Sequence, residues 1–389
     1  MRRISRIVRM WLASALLSSL AWAAPAEAAT PEQDVEFASR DAELYFERAG
    51  LLVDDPEATA YLQGVLLRLV DAAPDASLAN CRAFLIRGVR ASGFALPSCR
   101  VYLSTALFLA LDNEQQIAAV MARELAHVQM HSVVNHRRAL TKQLDAANFF
   151  SNLGAALGGV RGPGVGANMT DAVGDLIWRV SVRGFSPEIE LRADQGALAR
   201  LAAAKIGSAD AIRAIERLRI PAESATEVTG LPLLASRHIL DARVELWRRL
   251  SRGNSEGAAP PSVEHSRLAS RFRIDQIRML VESDDLLHAR ALLDEEVAAG
   301  GDNGVLSDLD AELQRRSGAA PDVMLAAYEK GAQFADAPAQ LFLRQGMLLR
   351  ELGHDERARQ AFRRFLELAP ASTEAALVKY YLDKSGAPE

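Results

Sequence analysis

Aromatic residues make up only 6% of this 389-residue chain, which holds 25 glycines and 15 prolines. Collagenous, low-complexity and strand-rich sandwich architectures are thereby excluded. No long run of Lys or Arg occurs and the formal net charge is -5, so the electrostatic footprint of DNA or RNA binding is missing. Beyond the first thirty residues, no apolar stretch approaches the length of about 20 residues that a membrane span needs. Cysteine is scarcer still, with two in all. The abundant residues are Ala, Leu, Arg and Glu, strong helix formers that predict a mostly helical protein. At about 150 residues per domain, the length predicts two or three domains.

The N-terminus reads as an export signal. Arg2, Arg3, Arg6 and Arg9 precede an apolar stretch from Met10 to Trp22, and the small-residue pattern Ala26-Glu27-Ala28 follows. Cleavage after Ala28 is expected, with an uncleaved anchor as the alternative. Loss of residues 1–28 removes four arginines and Glu27, leaving 41 basic and 49 acidic residues and a formal charge of -8. The mature chain is expected to be soluble and periplasmic, with no transmembrane span.

In an exported chain, Cys81 and Cys99 are expected to pair. Arg82 to Val89 and Gly93 to Pro97 read as strands. A hairpin folded about Arg90 would set residues whose numbers sum to 180 opposite one another, Cys81 facing Cys99. Helical spacing covers Asp34 to Gly50 and Asp54 to Ala72, and a further helix is opened by Asp112-Asn113-Glu114 and runs to Val128. The stretch from Asn152 to Asn168 is glycine-rich and suits a flap over a site. Helices resume at Met169 and Pro187.

Residues 253–262 form a linker by composition, and everything beyond is helical in pattern. From Ala339, the residues Phe342, Gly346, Leu349, Gly353, Ala358, Phe362, Phe365 and Pro370 occupy tetratricopeptide positions in one 34-residue frame. Small Gly346 and Ala358 would let two helices approach, with Phe362 and Phe365 filling the groove. The preceding frames are degenerate, but a single repeat cannot bury its own apolar face and needs such neighbours.

The segment from Ala91 to Ser132 contains Ala95-Leu96-Pro97 and, on the following helix, Arg123-Glu124-Leu125-Ala126-His127. Further on stands Glu190-Leu191-Arg192-Ala193-Asp194. Together these resemble the zinc metallopeptidases of family M forty-eight, the HtpX and CAAX-type group. That family carries Ala-Leu-Pro-Gly-Gly, His-Glu-x-x-His and a later Glu-x-x-Ala-Asp. The exported domain, linker and repeat tail resemble its periplasmic branch. The resemblance implies a zinc site in which His127 and Glu190 are ligands, Glu124 is the general base and Asp194 is a supporting carboxylate.

The first histidine of the motif is Arg123. On a helix, positions i and i+4 share a face, which is why two imidazoles there can hold one metal. Arginine offers donors only and stays protonated, so it supplies no lone pair. At about 4 Å and an effective dielectric near 20, its charge repels a divalent ion by on the order of 8 kcal/mol. Zinc, the cofactor the resemblance implies, is therefore expected to be absent or weakly bound, with Arg123 bridging the carboxylates in its place. His127 and His131 are also four apart and offer a displaced substitute site with Glu190. Ser98 and Cys99 stand where the family has Gly-Gly, which puts side chains beside the edge a substrate strand would approach. Ser132 occupies a position where the family often has another His. In Leu231 to Val244, Arg237-His238 lies near the family's His-Pro.

The expected fold is mostly α with a small antiparallel β-sheet, an α+β zincin-like domain over residues 29–252. An all-α tetratricopeptide-type domain over residues 263–389 follows the linker. The leading functional expectation is a catalytically impaired pseudopeptidase acting as chaperone or adaptor in envelope protein quality control. It would bind unfolded envelope proteins or peptides in the old cleft, and a protein partner on the repeats. The alternative is an active zinc metalloendopeptidase that degrades misfolded envelope proteins.

Overall fold

The computed structural model describes residues 39–40, 43–132, 187–224, 237–250 and 259–384. The export signal, the glycine-rich stretch 152–168, the helix expected from Met169 and linker residues 253–258 lie outside them. No helix among the described residues is long and apolar enough to cross a membrane.

The chain enters through a short helical segment at 43–48 and then α1, Pro56–Ala72. Asp55 caps α1 by accepting from the amides of Glu57 and Ala58 at 3.1 and 3.0 Å, with proline at the first helical position. Its buried stripe is Ala58, Leu62, Val65, Leu66 and Leu69, spaced as one helical face requires.

Three strands follow: β1 (Arg82–Ile86), β2 (Gly93–Leu96) and β3 (Arg100–Ser104), in the order β1-β3-β2. The expected hairpin between β1 and β2 does not form. β1 pairs with β3 in parallel, Arg82 opposite Arg100, and only β2 and β3 run antiparallel, so the small sheet is mixed. The tight turn lies instead at Pro97 to Cys99, where the Cys99 amide donates to the Leu96 carbonyl at 2.9 Å. Proline suits the second position of such a turn, and Cys99 takes the left-handed φ of 56° that closes a three-residue hairpin. The disulfide is present all the same. With an offset of 18, the parallel register puts Cys81 beside Cys99, Cα atoms 4.6 Å apart.

The outer edge of β1 is occupied. The Gln63 side chain accepts from the Ala83 amide at 2.9 Å and donates to the Cys81 carbonyl at 3.2 Å. Val53 donates to Leu85 and Arg87 to Leu51 through their backbones. Among the described residues β2 pairs only with β3. One sheet face, with Ala83, Leu85, Ala95, Val101 and Leu103, joins the main core. The other stacks Phe84 and Phe94 on either side of Tyr102, with ring centroids 5.1 Å apart in both pairs.

Ser104 ends β3 and caps a short helix, α2 (Thr105–Ala110), which the sequence pattern did not mark as helical. Next comes α3, Glu114–Gln129, capped by Asn113 through the Gln116 amide. Every residue of α3 from Gln116 to Val128 is buried, so this is a central helix wrapped by its neighbours. α4 (Pro187–Ala203) crosses it closely: a Cβ on Gly196 would stand 3.0 Å from that of Ala126. α5 (Ser208–Ser224) and α6 (Arg237–Leu250) complete the surround.

The remainder is helical. α7 (Val263–Glu282) belongs to two cores, giving Leu268, Ala269 and Phe272 to the first and Ile277, Leu280 and Val281 to the second. α8 (Leu286–Ala298), α9 (Gly304–Arg316), α10 (Pro321–Gly331), α11 (Ala339–Glu351), α12 (Asp355–Leu368) and α13 (Ala375–Lys384) follow. The frame from Ala339 folds as the helix pair α11 and α12. A Cβ on Gly346 would lie 2.5 Å from the Phe362 ring, so the ring occupies the space the glycine leaves. Phe362 and Phe365 are both fully buried. Gly353, at φ 75°, turns the chain between the two helices.

Candidate active site on the central helix

The close crossing of α3 and α4 brings together the residues that carry the motif. Arg123, Glu124 and His127 come from α3 and Glu190 and Asp194 from α4, and all are at least 96% buried. Arg123 Nη1 donates to Glu124 Oε1 at 2.7 Å, and Nη2 donates to Glu190 Oε2. Its Nε lies 3.8 Å from Asp194 Oδ1. His127 Nε2 is also 3.8 Å from Glu190 Oε2, and its Nδ1 is 3.3 Å from the Ser132 hydroxyl. The guanidinium therefore sits among the three carboxyl groups and engages two of them by direct hydrogen bonds.

Pattern reading missed one member. Arg243 of α6 grips Asp194 through two bonds of 2.8 Å, Nε to Oδ2 and Nη2 to Oδ1, the bidentate fork that suits guanidinium and carboxylate. Charge balance was the signal that could have found it. Three buried carboxyl groups against one arginine leave an excess of negative charge that a low-dielectric site does not tolerate, and the chain must supply a second cation.

The electrostatics follow from this crowding. Burial works against the Arg123 charge, but Glu190, Glu124 and Asp194 outweigh it and hold the guanidinium above its ordinary pKa. Burial pushes the Glu124 carboxyl up to about 7 despite the lowering pull of Arg123. Burial, reinforced by the charges of Arg123 and Arg243, holds His127 well below the usual imidazole range. The group thus resembles a self-neutralising ion cluster more than a set of free ligands.

His131 lies apart from this cluster. α3 ends at Gln129, and His131 is exposed with a left-handed φ of 48°, so the i, i+4 helical geometry with His127 is lost. Ser132, not His131, turns back onto His127. Ser98 and Cys99 lie in the turn after β2, Cys99 being tied to Cys81. The side chain of His238 lies outside the described residues.

The sequence profile of Peptidase family M48 matches residues 56–251, half of the chain, and the chain belongs to that family. It is similar to the beta-barrel assembly-enhancing protease of Escherichia coli K12, 32% identical over 147 residues, which are 37% of this chain and 29% of the relative. The same figures hold for the protein of that name from Shigella flexneri. With that of Escherichia coli O157:H7, identity is 39% over 77 residues, 20% of this chain and 16% of the relative. The chain thus aligns with less than a third of the length of these curated relatives.

Proposed function

We propose that this chain is an exported, periplasmic member of family M48 that has exchanged its zinc for arginine. It acts without catalysis, as a chaperone or adaptor for unfolded envelope proteins. The observation that carries this reading is the Arg123 guanidinium, which stands at the first ligand position of the motif and donates to both Glu124 and Glu190. The group the family uses there must accept a metal through lone pairs, and guanidinium has none. Glu190, the third ligand of the resemblance, is committed to Arg123, so the donor set does not fit zinc. The helix pairs α7 to α13 are read as tetratricopeptide-type repeats that dock a protein partner, and the edge of β2 as the place where an extended chain adds to the sheet.

Zinc content tests this. The purified chain should carry no stoichiometric zinc and leave casein uncut. Arg123→His should restore measurable zinc affinity, because it returns the i, i+4 histidine pair around Glu124. Zinc-dependent cleavage by the unaltered chain would overturn the proposal. The active metalloendopeptidase is the second reading, favoured by the convergence of Glu124, His127, Glu190 and Asp194 on one buried spot and by the word protease in the relatives' names. The same zinc measurement separates the two.

A further inference from the structure

At the start of the sheet, Arg82 stands directly opposite Arg100 on the neighbouring strand. Like charges so placed cost stability, which makes an anionic partner favourable. Arg100 is already engaged: its Nε is 3.0 Å from Glu43, and its Nη1 donates to the carbonyls of Asn80 and Ser98, both at 3.3 Å. Arg82 is exposed, and among the described residues its side chain has no ion pair or hydrogen bond. Both arginines line an open cleft of about 700 Å³ together with Gln63, Asn80, Cys81 and Ser98. The Ser98 hydroxyl is buried and makes no hydrogen bond, although a hydroxyl withdrawn from water normally finds a partner. A solvated surface arginine would explain Arg82 alone. It would not explain an idle hydroxyl on a residue of the cleft wall, or a second arginine directly opposite with one carboxylate to balance the two cations.

We propose that this cleft is a binding site for an oxyanion group, a carboxylate or a phosphate carried on a ligand, gripped by the Arg82 fork beside the charge of Arg100, with the Ser98 hydroxyl able to join by rotating about its Cα–Cβ bond. Its volume suits a residue-sized molecule better than a bare ion. The site is independent of the metal question, since none of its residues belongs to the cluster on α3 and α4.

The test is titration calorimetry on the full chain at fixed ionic strength. The probes are inorganic phosphate, an acetylated tripeptide with a free C-terminal carboxylate, and the same tripeptide as its C-terminal amide. At least one oxyanion probe should bind saturably and the amide should not. Phosphate alone would assign the site to phosphate ligands, and the free peptide alone would assign it to carboxylates. Arg82→Gln should weaken binding by about tenfold or more, with Arg82→Lys between the two. Arg363→Gln, which removes an exposed charge on α12, should leave it unchanged. Absence of saturable binding by either oxyanion, or an equal loss in Arg363→Gln, would overturn the proposal.

Discussion

Arg243 and Asp194 form a buried ion pair, a two-bond fork in which the carboxylate has no exposed surface and the arginine only 4%. With Arg123 on the other side of Asp194, two guanidinium groups offset the carboxyl groups of α3 and α4 without help from solvent. Removing one partner strands the other in a low-dielectric interior. Arg243→Met should therefore cost about 3 to 5 kcal/mol. Adding Asp194→Leu should recover much of that loss, because the pair's own desolvation cost disappears with it. Urea unfolding of the two variants checks this, and a double variant no more stable than the single would contradict it.

The disulfide closes a sequence separation of 18 residues. By loop entropy it should stabilise the fold by about 3 kcal/mol. Thiol titration of denatured, unreduced protein should find no free thiol, and a Cys81→Ser/Cys99→Ser variant should unfold at correspondingly lower urea.

The pairing of these cysteines also marks how far local pattern reaches. A hairpin about Arg90 and a parallel register offset by 18 both put Cys81 beside Cys99, so the bond could be read while the strand order could not. Strand alternation specifies which face a residue takes, not which strand lies beside it. The hidden clue was Pro97, which belongs in a tight turn and places the hairpin between β2 and β3. Helices with a cap and a periodic stripe, such as α1 and α3, were legible from their starts, and α4 from Pro187 at its first position. α2 was not, because Ser104 serves at once as the last residue of a strand and as a cap. In the site, the α3 and α4 residues were legible from the resemblance of their two motifs to those of the family. Arg243 lies on a third helix, with no spacing relation to either, and only the excess of buried negative charge called for it.

His265 gives a pH test at the junction. It is buried in the first turn of α7, and its Nε2 donates to the carbonyls of Leu111 at 2.8 Å and Phe108 at 3.0 Å. Burial holds its pKa below the ordinary value of 6.5, against the raising effect of those carbonyls. The unfolded chain therefore binds a proton before the folded one does. The contribution is fully present above about pH 6.5 and is lost as pH falls from there towards the folded-state value. His265→Gln should flatten the slope of stability against pH in that window. An unchanged slope would mean that His265 stays neutral or becomes charged equally in both states.

The helical tail should not be separable at the linker. α7 begins at Val263, yet its Leu268, Ala269 and Phe272 lie in the core of the metallopeptidase half. Its Gln276 accepts from the Thr105 hydroxyl at 2.9 Å. The approach to α7 is pinned as well: Ala259 donates to Asp210, Ser262 donates to the Asp112 carbonyl, and Asn113 donates to the carbonyl of Ala259. Uncovering Phe272 and Leu268 alone forfeits about 1.5 to 3 kcal/mol each, a large share of the stability of an ordinary domain. A chain cut after residue 262 should aggregate or unfold at lower urea. One cut after Ala298 keeps α7 and α8 and should retain the transition of the metallopeptidase half. Equal stability of the two truncations would show that the buried face of α7 contributes nothing.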